Sequence, residues 1–291
     1  MRKTFVAAIG ALALAAAMQP AMAADMAVRP PPPPSYRAPP VYVDPWIWTG
    51  IYVGLNAGYS WGRSETETTF YDNTSGTSLL VTNNSFNLDG WVAGGQAGGN
   101  WQIGMAGVVG IEIDIQATGQ KGGLDFVCPA GICAAPIIGA AVVPGGPITA
   151  SYDQKLTWFG TVRGRAGALV TPTVLAYVTG GLAYGEVKSD LLVSGTNGLV
   201  PASAAFSNTT TRAGWTAGAG IEGRLGGGWT AKIEYLYIDL GNVPTGPFVT
   251  PITSLVVGPV AITFNSRVTD HIARVGINYL FGGPAPVRAA Y

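Results

Sequence analysis

The sequence predicts an all-β protein, an eight-stranded antiparallel up-and-down transmembrane β-barrel. Three observations predict it. Six segments alternate apolar and polar residues with period two, the side-chain period of a strand with one face in an apolar medium, and two weaker ones bring the count to eight. Charged residues are only 11% of the 291 and cancel to a net charge of zero, less than half the roughly 25% of a soluble domain. The segments are joined alternately by tight turns and long connections, the topology of an outer-membrane barrel.

Composition also excludes classes. Zero net charge argues against a nucleic-acid partner, which needs a basic surface. Gly is 42 of 291 residues without a G-X-Y period, which excludes collagen. The paucity of charge and the wealth of β-formers argue against global disorder.

The N-terminus reads as an export signal over residues 1–23. Arg2 and Lys3 precede an uncharged apolar run, Phe5 to Met18, and then Ala21-Met22-Ala23. This is an A-x-A cleavage site, so cleavage is expected between Ala23 and Ala24. An uncleaved anchor is the rival, but the run falls short of the ~20 residues of a spanning helix. Residues 24–45 hold five consecutive prolines, Pro30 to Pro34, with Pro39, Pro40 and Pro45 after them. They form a polyproline II spacer with nothing to bury.

The barrel is expected over 46–281. In the first strand Ile51, Val53, Leu55, Ala57, Tyr59 and Trp61 share one face, and Gly54, Asn56, Gly58 and Ser60 the other. Gly90 to Gln102 is Gly-rich but keeps Trp91 and Trp101 in phase. Ile111, Ile113 and Ile115 alternate with Glu112, Asp114 and Gln116. Leu156, Trp158 and Val162 oppose Lys155, Thr157, Arg163 and Arg165. Val174 to Lys188 alternates poorly and gives no face. Trp215 and Ile221 oppose Arg212, Glu222 and Arg224; Trp229, Ile233 and Tyr237 oppose Lys232 and Glu234; Val275, Ile277, Tyr279 and Phe281 oppose Arg274. Tight turns are expected at 104–107, 170–173 and 226–228, and long external loops at 65–86, 119–150, 189–208 and 241–265. An even strand count puts both barrel ends in the periplasm.

A soluble barrel would need a charged outer coat, and the polar face is too thin in charge to make one. Its counterpart carries aromatics near strand ends: Trp61, Trp91, Trp101, Trp158, Trp215, Trp229, Tyr237, Tyr279 and Phe281. These match interfacial girdles.

Trp48-Thr49-Gly50-Ile51-Tyr52-Val53-Gly54-Leu55-Asn56-Ala57-Gly58-Tyr59 resembles the first strand of the porin-family outer membrane β-barrel proteins of alphaproteobacteria, whose barrel is similar to the OmpA transmembrane domain. Lys232 to Tyr237 with Asp239-Leu240-Gly241, and Arg274 to Phe281, match as well. The resemblance implies an outer-membrane lipid environment and handling by the barrel assembly machinery. Two departures stand out. Residues 282–291 form a tail beyond the aromatic that usually ends such barrels, and no peptidoglycan-binding module follows.

Candidate chemistry is sparse. Cys128 and Cys133 are the only cysteines; export and an even count favour a disulfide, and a metal site needs more ligands than that loop offers. His271 is the sole histidine, and with Ser266 near it lacks a nucleophile elbow or oxyanion pattern, so it reads as a rim residue. Gly218 to Gly223 spells G-x-G-x-x-G inside a strand pattern, whereas a dinucleotide site needs it between a strand and a helix. No cofactor or metal is expected. The polar-face charges are the informative set: Glu112, Asp114, Glu222 and Glu234 against Arg163, Arg165, Arg212, Arg224, Lys232 and Arg274. Inside an eight-stranded barrel they must pair, because an isolated buried charge costs several kcal/mol. The reading is a non-enzymatic structural barrel. A passive, slightly basic pore and a surface binding module acting through the loops are the alternatives.

Overall fold

A computed structural model describes residues 46–128, 137–138, 141–142, 147–197, 200–254 and 258–281. In chain order the strands are β1 (Gly50–Asp72), β2 (Ser78–Ile103), β3 (Gly107–Cys128), the short pair β4 (Ile137–Ile138) and β5 (Ala141–Val142), then β6 (Ile148–Thr171), β7 (Val174–Asn197), β8 (Val200–Gly226), β9 (Trp229–Ser254) and β10 (Gly258–Phe281). Eight of them close into a barrel in the order β1-β10-β9-β8-β7-β6-β3-β2. Every pairing is antiparallel between chain neighbours, and β1 closes on β10 from Ile51↔Phe281 to Asp72↔Val260. The tight turns fall where the sequence placed them. At Gly227-Gly228 both φ angles are positive (57° and 91°), the geometry of a two-residue hairpin and one that glycine adopts at no steric cost.

The strands are much longer than the alternation suggested. They run to 22–27 residues, more than twice the ~9–11 that cross a bilayer. Much of what read as external loop is therefore strand. Residues 65–86 are two strand ends around a short turn, and 189–208 and 241–265 are likewise mostly ladder.

The extra length has its own architecture. The β2–β3 ladder stops at Asp89↔Lys121 and the β8–β9 ladder at Trp215↔Asp239, while the other ladders continue beyond those levels. Beyond these two seams the wall parts into two four-stranded sheets, β2-β1-β10-β9 and β3-β6-β7-β8. They face one another over an apolar core that includes Phe70, Tyr152, Leu191, Ile262 and Phe264. The polarity of each strand inverts along its length. In β1, Ile51 and Leu55 point out and Asn56 and Ser60 in; further along, Arg63, Glu65 and Glu67 point out and Phe70 in. The short-turn half is a membrane barrel with a polar interior, and the hairpin half is a water-facing sandwich with an apolar one.

This inversion corrects the register of β6. Thr157 is an extra residue between Leu156↔Val187 and Trp158↔Glu186. A bulge of one residue swaps the faces beyond it. Lys155 therefore points to water and Leu156 into the core, instead of Lys155 and Thr157 sharing the lumen face with Arg163. In β7 the facing is now explicit: Leu175, Tyr177 and Thr179 point in, and Val178 and Leu182 out.

Candidate functional site: the charged lumen

The barrel half encloses four carboxylates and four cations, all but fully buried: Glu112, Asp114, Glu222 and Glu234 with Arg163, Arg165, Lys232 and Arg274. Each sits on the inward side of its strand. Glu112 and Arg163 are direct cross-strand partners, as are Glu222 and Lys232 and Arg274 and Glu234.

The contacts run across the lumen as well as between neighbours. Lys232 Nζ donates to both Glu112 oxygens at 2.9 Å. Arg163 bonds Glu112, Asp114 at 2.8 Å and Glu234 at 3.2 Å. Arg274 reaches Asp114 at 3.1 Å and donates from Nε to Glu234 at 2.8 Å. Arg165 bonds Glu222 at 2.7 Å, and Thr230 Oγ1 and Asn278 Nδ2 donate to the same carboxylate at 2.6 and 2.9 Å.

Two tyrosines complete the site, and the charge pattern alone did not reveal them. Tyr52 donates its hydroxyl to Glu112 at 2.6 Å, and Tyr177 donates to Glu234 at 3.0 Å. The Arg165 guanidinium lies 4.0 Å from the Tyr177 ring centroid. A Cβ on Gly98 would lie 2.5 Å from the Tyr52 phenol, and one on Gly220 2.6 Å from the Tyr177 hydroxyl. The glycines thus clear space for rings. That accounts for Gly220 in the G-x-G-x-x-G run within β8, where a nucleotide-binding turn is not formed, while a Cβ on Gly218 would meet the Tyr235 carbonyl and Leu236.

Two of the expected lumen charges lie elsewhere. Arg224 is exposed near the β8–β9 turn, where the strand leaves the lumen, and its guanidinium lies over Trp46 at 4.4 Å. Arg212 lies beyond Trp215 at the open seam, out of reach of the carboxylates below, and its Nε has no hydrogen-bond partner. Without them the mutually bonded set is four against four, a fifth inward carboxylate, Asp270, is held by Ser60 and Gln120 instead of a cation, and the basic excess read from sequence is absent.

The network is capped on both sides. At the short-turn mouth Trp48 is fully buried against Val108, Leu175 and Tyr177; its backbone N–H donates to Gln102 Oε1 at 3.0 Å and its indole N–H to the Pro172 carbonyl at 3.2 Å. Above the charges lies a polar layer. There Ser60 and Gln120 donate to Asp270, the latter at 2.6 Å; Asn56 and Gln96, bonded at 2.9 Å, lie among the charges, where Gln96 shares Asn278 with Glu222. The apolar sandwich core follows.

Outside, aromatics form two bands. Trp229 meets Tyr279 at 5.1 Å and Tyr279 meets Phe281 at 4.9 Å, with the exposed Trp101 on the same margin. Tyr59, Trp61, Trp91, Trp158, Trp215 and Tyr237 lie toward the other margin, including Trp215–Tyr237 at 5.2 Å and Trp158–Tyr184 at 6.0 Å. Between them Ile51, Leu55, Ile111, Ile113, Ile233 and Val275 are exposed. His271 belongs to the second band, its Nδ1 2.6 Å from the Tyr235 hydroxyl. Ser266 points inward and bonds Thr66 at 2.9 Å, so Ser266 and His271 lie on opposite faces of β10 and cannot act together. The expected Cys128–Cys133 bond involves positions outside those whose side chains are described.

An apolar belt between aromatic bands, closed strand pairing and a polar interior together define an integral membrane β-barrel. The chain belongs to the outer membrane protein β-barrel domain family, whose model matches residues 9–281. It is 37% identical over 288 residues to the 31 kDa outer-membrane immunogenic protein of Brucella melitensis, spanning 97% of this chain and all of that one. It is 30% identical to the 25 kDa outer-membrane immunogenic protein of Brucella abortus, over 76% of this chain and 78% of that one. Among solved structures, the outer membrane protein OprG of Pseudomonas aeruginosa aligns with a TM-score of 0.42 at 12% identity, covering 80% and 97% of the two chains. The protein is an outer-membrane protein of a Gram-negative envelope.

Proposed function

We propose that this protein is a non-enzymatic structural element of the outer membrane, a barrel closed to solutes that carries a rigid pillar on the cell surface. The observation that carries the reading is the balanced lumen network. Four cations and four carboxylates bond one another across the axis, and an eight-stranded barrel leaves little interior beyond its own side chains. Trp48 below and the aromatic core above add two further barriers. With the short turns in the periplasm, the sandwich half stands outside, in keeping with the word "immunogenic" in the relatives' names.

Planar-bilayer recording tests this reading. The unmodified protein should give at most small, rare openings without ion preference; large stable channels would establish the pore reading instead. The rest of the chain fits the same role. Residues 1–23 direct export, the Pro-rich stretch 24–45 spaces the barrel from what lies below it, and the final strand through Phe281 is presented to the barrel assembly machinery.

A further inference from the structure

We infer that the outer face of the β2-β1-β10-β9 sheet, just above the membrane, is a binding site for the sugar portion of an outer-leaflet glycolipid. The inference goes beyond the closed-barrel reading and rests on its orientation, with the hairpin half outside the cell.

The outward side chains of this sheet form a grid. Trp61, His271 and Tyr237 lie in one pairing row and mark the membrane margin. The next rows outward are Asn87, Arg63, Thr269 and Asp239, then Ser85, Glu65, Arg267 and Asn242, then Asn83, Glu67, Asn265 and Pro244. The surface is concave because β9 carries one extra residue at Leu240-Gly241 and another at Gly246-Pro247. Such bulges bend a strand away from its neighbour's plane. Two hollows result, of about 420 and 530 Å³, and they run together through Glu67, Asn242 and Asn265.

The chemistry selects the occupant. Arg63, Arg212 and Arg267 are offset by Glu65, Glu67 and Asp239, so the hollow attracts neither a polyanion nor a polycation. The first hollow is lined by no aliphatic or aromatic side chain of the kind that anchors protein–protein interfaces, and the second adds only Pro244 and the edge of the otherwise buried Phe264. Together they present amides, carboxylates and guanidinium groups, whose paired donors and acceptors match adjacent hydroxyls. The rings of Trp61, Tyr237 and His271 at their foot offer faces for the apolar side of a sugar. The position picks the source: the first polar row lies one pairing step beyond the aromatic margin, at the level of headgroup sugars in the outer leaflet.

The test uses the full-length protein in phosphatidylcholine nanodiscs, doped with lipopolysaccharide that carries core sugars or with lipid A that lacks them. Retained lipid is counted by native mass spectrometry. The unmodified protein should retain the core-bearing lipid about tenfold over lipid A, the difference that a few net hydrogen bonds supply. The exposed-site variant Asn83→Ala/Glu67→Ala/Asn265→Ala, checked for folding by its gel shift, should retain the two alike. Released core oligosaccharide at millimolar concentration should compete. Equal retention by the unmodified protein would assign any binding to phosphate or acyl chains and overturn the inference. A preference that survives in the variant would overturn the assigned site, and failure of free oligosaccharide to compete would overturn sugar recognition.

Discussion

Tyr152 of β6 and Phe264 of β10 stack face to face, with ring centroids 4.3 Å apart and planes 13° from parallel. Their strands are not neighbours in the barrel order, so the pair spans the interior and joins the two sheets of the outer half. Phe206 with Phe248 at 5.1 Å and Phe126 with Phe264 at 5.8 Å do the same. These inter-sheet rings turn the hairpin extensions into a packed body. An aromatic pair adds about 0.5–1.5 kcal/mol beyond the area it buries.

Phe264→Ala should therefore loosen the outer half without opening the membrane half. The cost should be about 3–5 kcal/mol, as for other buried aromatics cut to Ala. Protease digestion of the protein in vesicles should clip the variant's hairpins and leave the belt from Ile51 to Trp61 protected.

The facing of β6 can be read by labelling. In a Cys128→Ser/Cys133→Ser background, Lys155→Cys should react with a membrane-impermeant maleimide and Leu156→Cys should not. The opposite result would restore the register in which Lys155 faces the lumen. In the membrane half Ile113 faces lipid, so Ile113→Arg should cost on the order of 2–4 kcal/mol in bilayer folding assays.

Lys232→Met should destabilise the barrel by about 3–5 kcal/mol, because it strands the Glu112 carboxylate short of a partner in a dry interior. The double variant Glu112→Gln/Lys232→Met should recover part of that loss. Urea unfolding in lipid vesicles measures both. Non-additivity is the informative result, since independent sites would simply sum.

Arg163→Ala/Arg165→Ala removes two of the four lumen cations. It should raise single-channel conductance while lowering the unfolding midpoint, because Glu112, Asp114 and Glu222 lose ion pairs. An unchanged, silent barrel would place the seal at Trp48 or in the sandwich core instead.

Two expectations concern residues at the margins. Mass spectrometry of the mature protein should find Ala24 first. Non-reducing peptide mapping should link Cys128 to Cys133 within one molecule, and Cys133→Ser should leave the barrel folded.

Sequence alone determined the membrane half. A strand in lipid must show apolar side chains at every second position and pair all its backbone groups, so the period-two signal, the eight segments, the tight turns and the facing of Ile113 against Glu112 and Asp114 were legible in one dimension. Most of the lumen charges followed, because a polar residue between lipid-facing ones has only the interior to enter. Only the tertiary structure decided the rest. Beyond the aromatic margin the solvent changes, and the same alternation is satisfied with the faces exchanged. A one-residue bulge at Thr157 then decides which side Lys155 takes, and no local pattern records it. The seams that separate Arg212 from the network, and the mouth where Arg224 meets Trp46, depend on which strands stop pairing and where. Tyr52 and Tyr177 entered the site for the same reason. Their hydroxyls find carboxylates on β3 and β9, strands that are not their neighbours, and only closure of the ring brings those groups within a hydrogen bond.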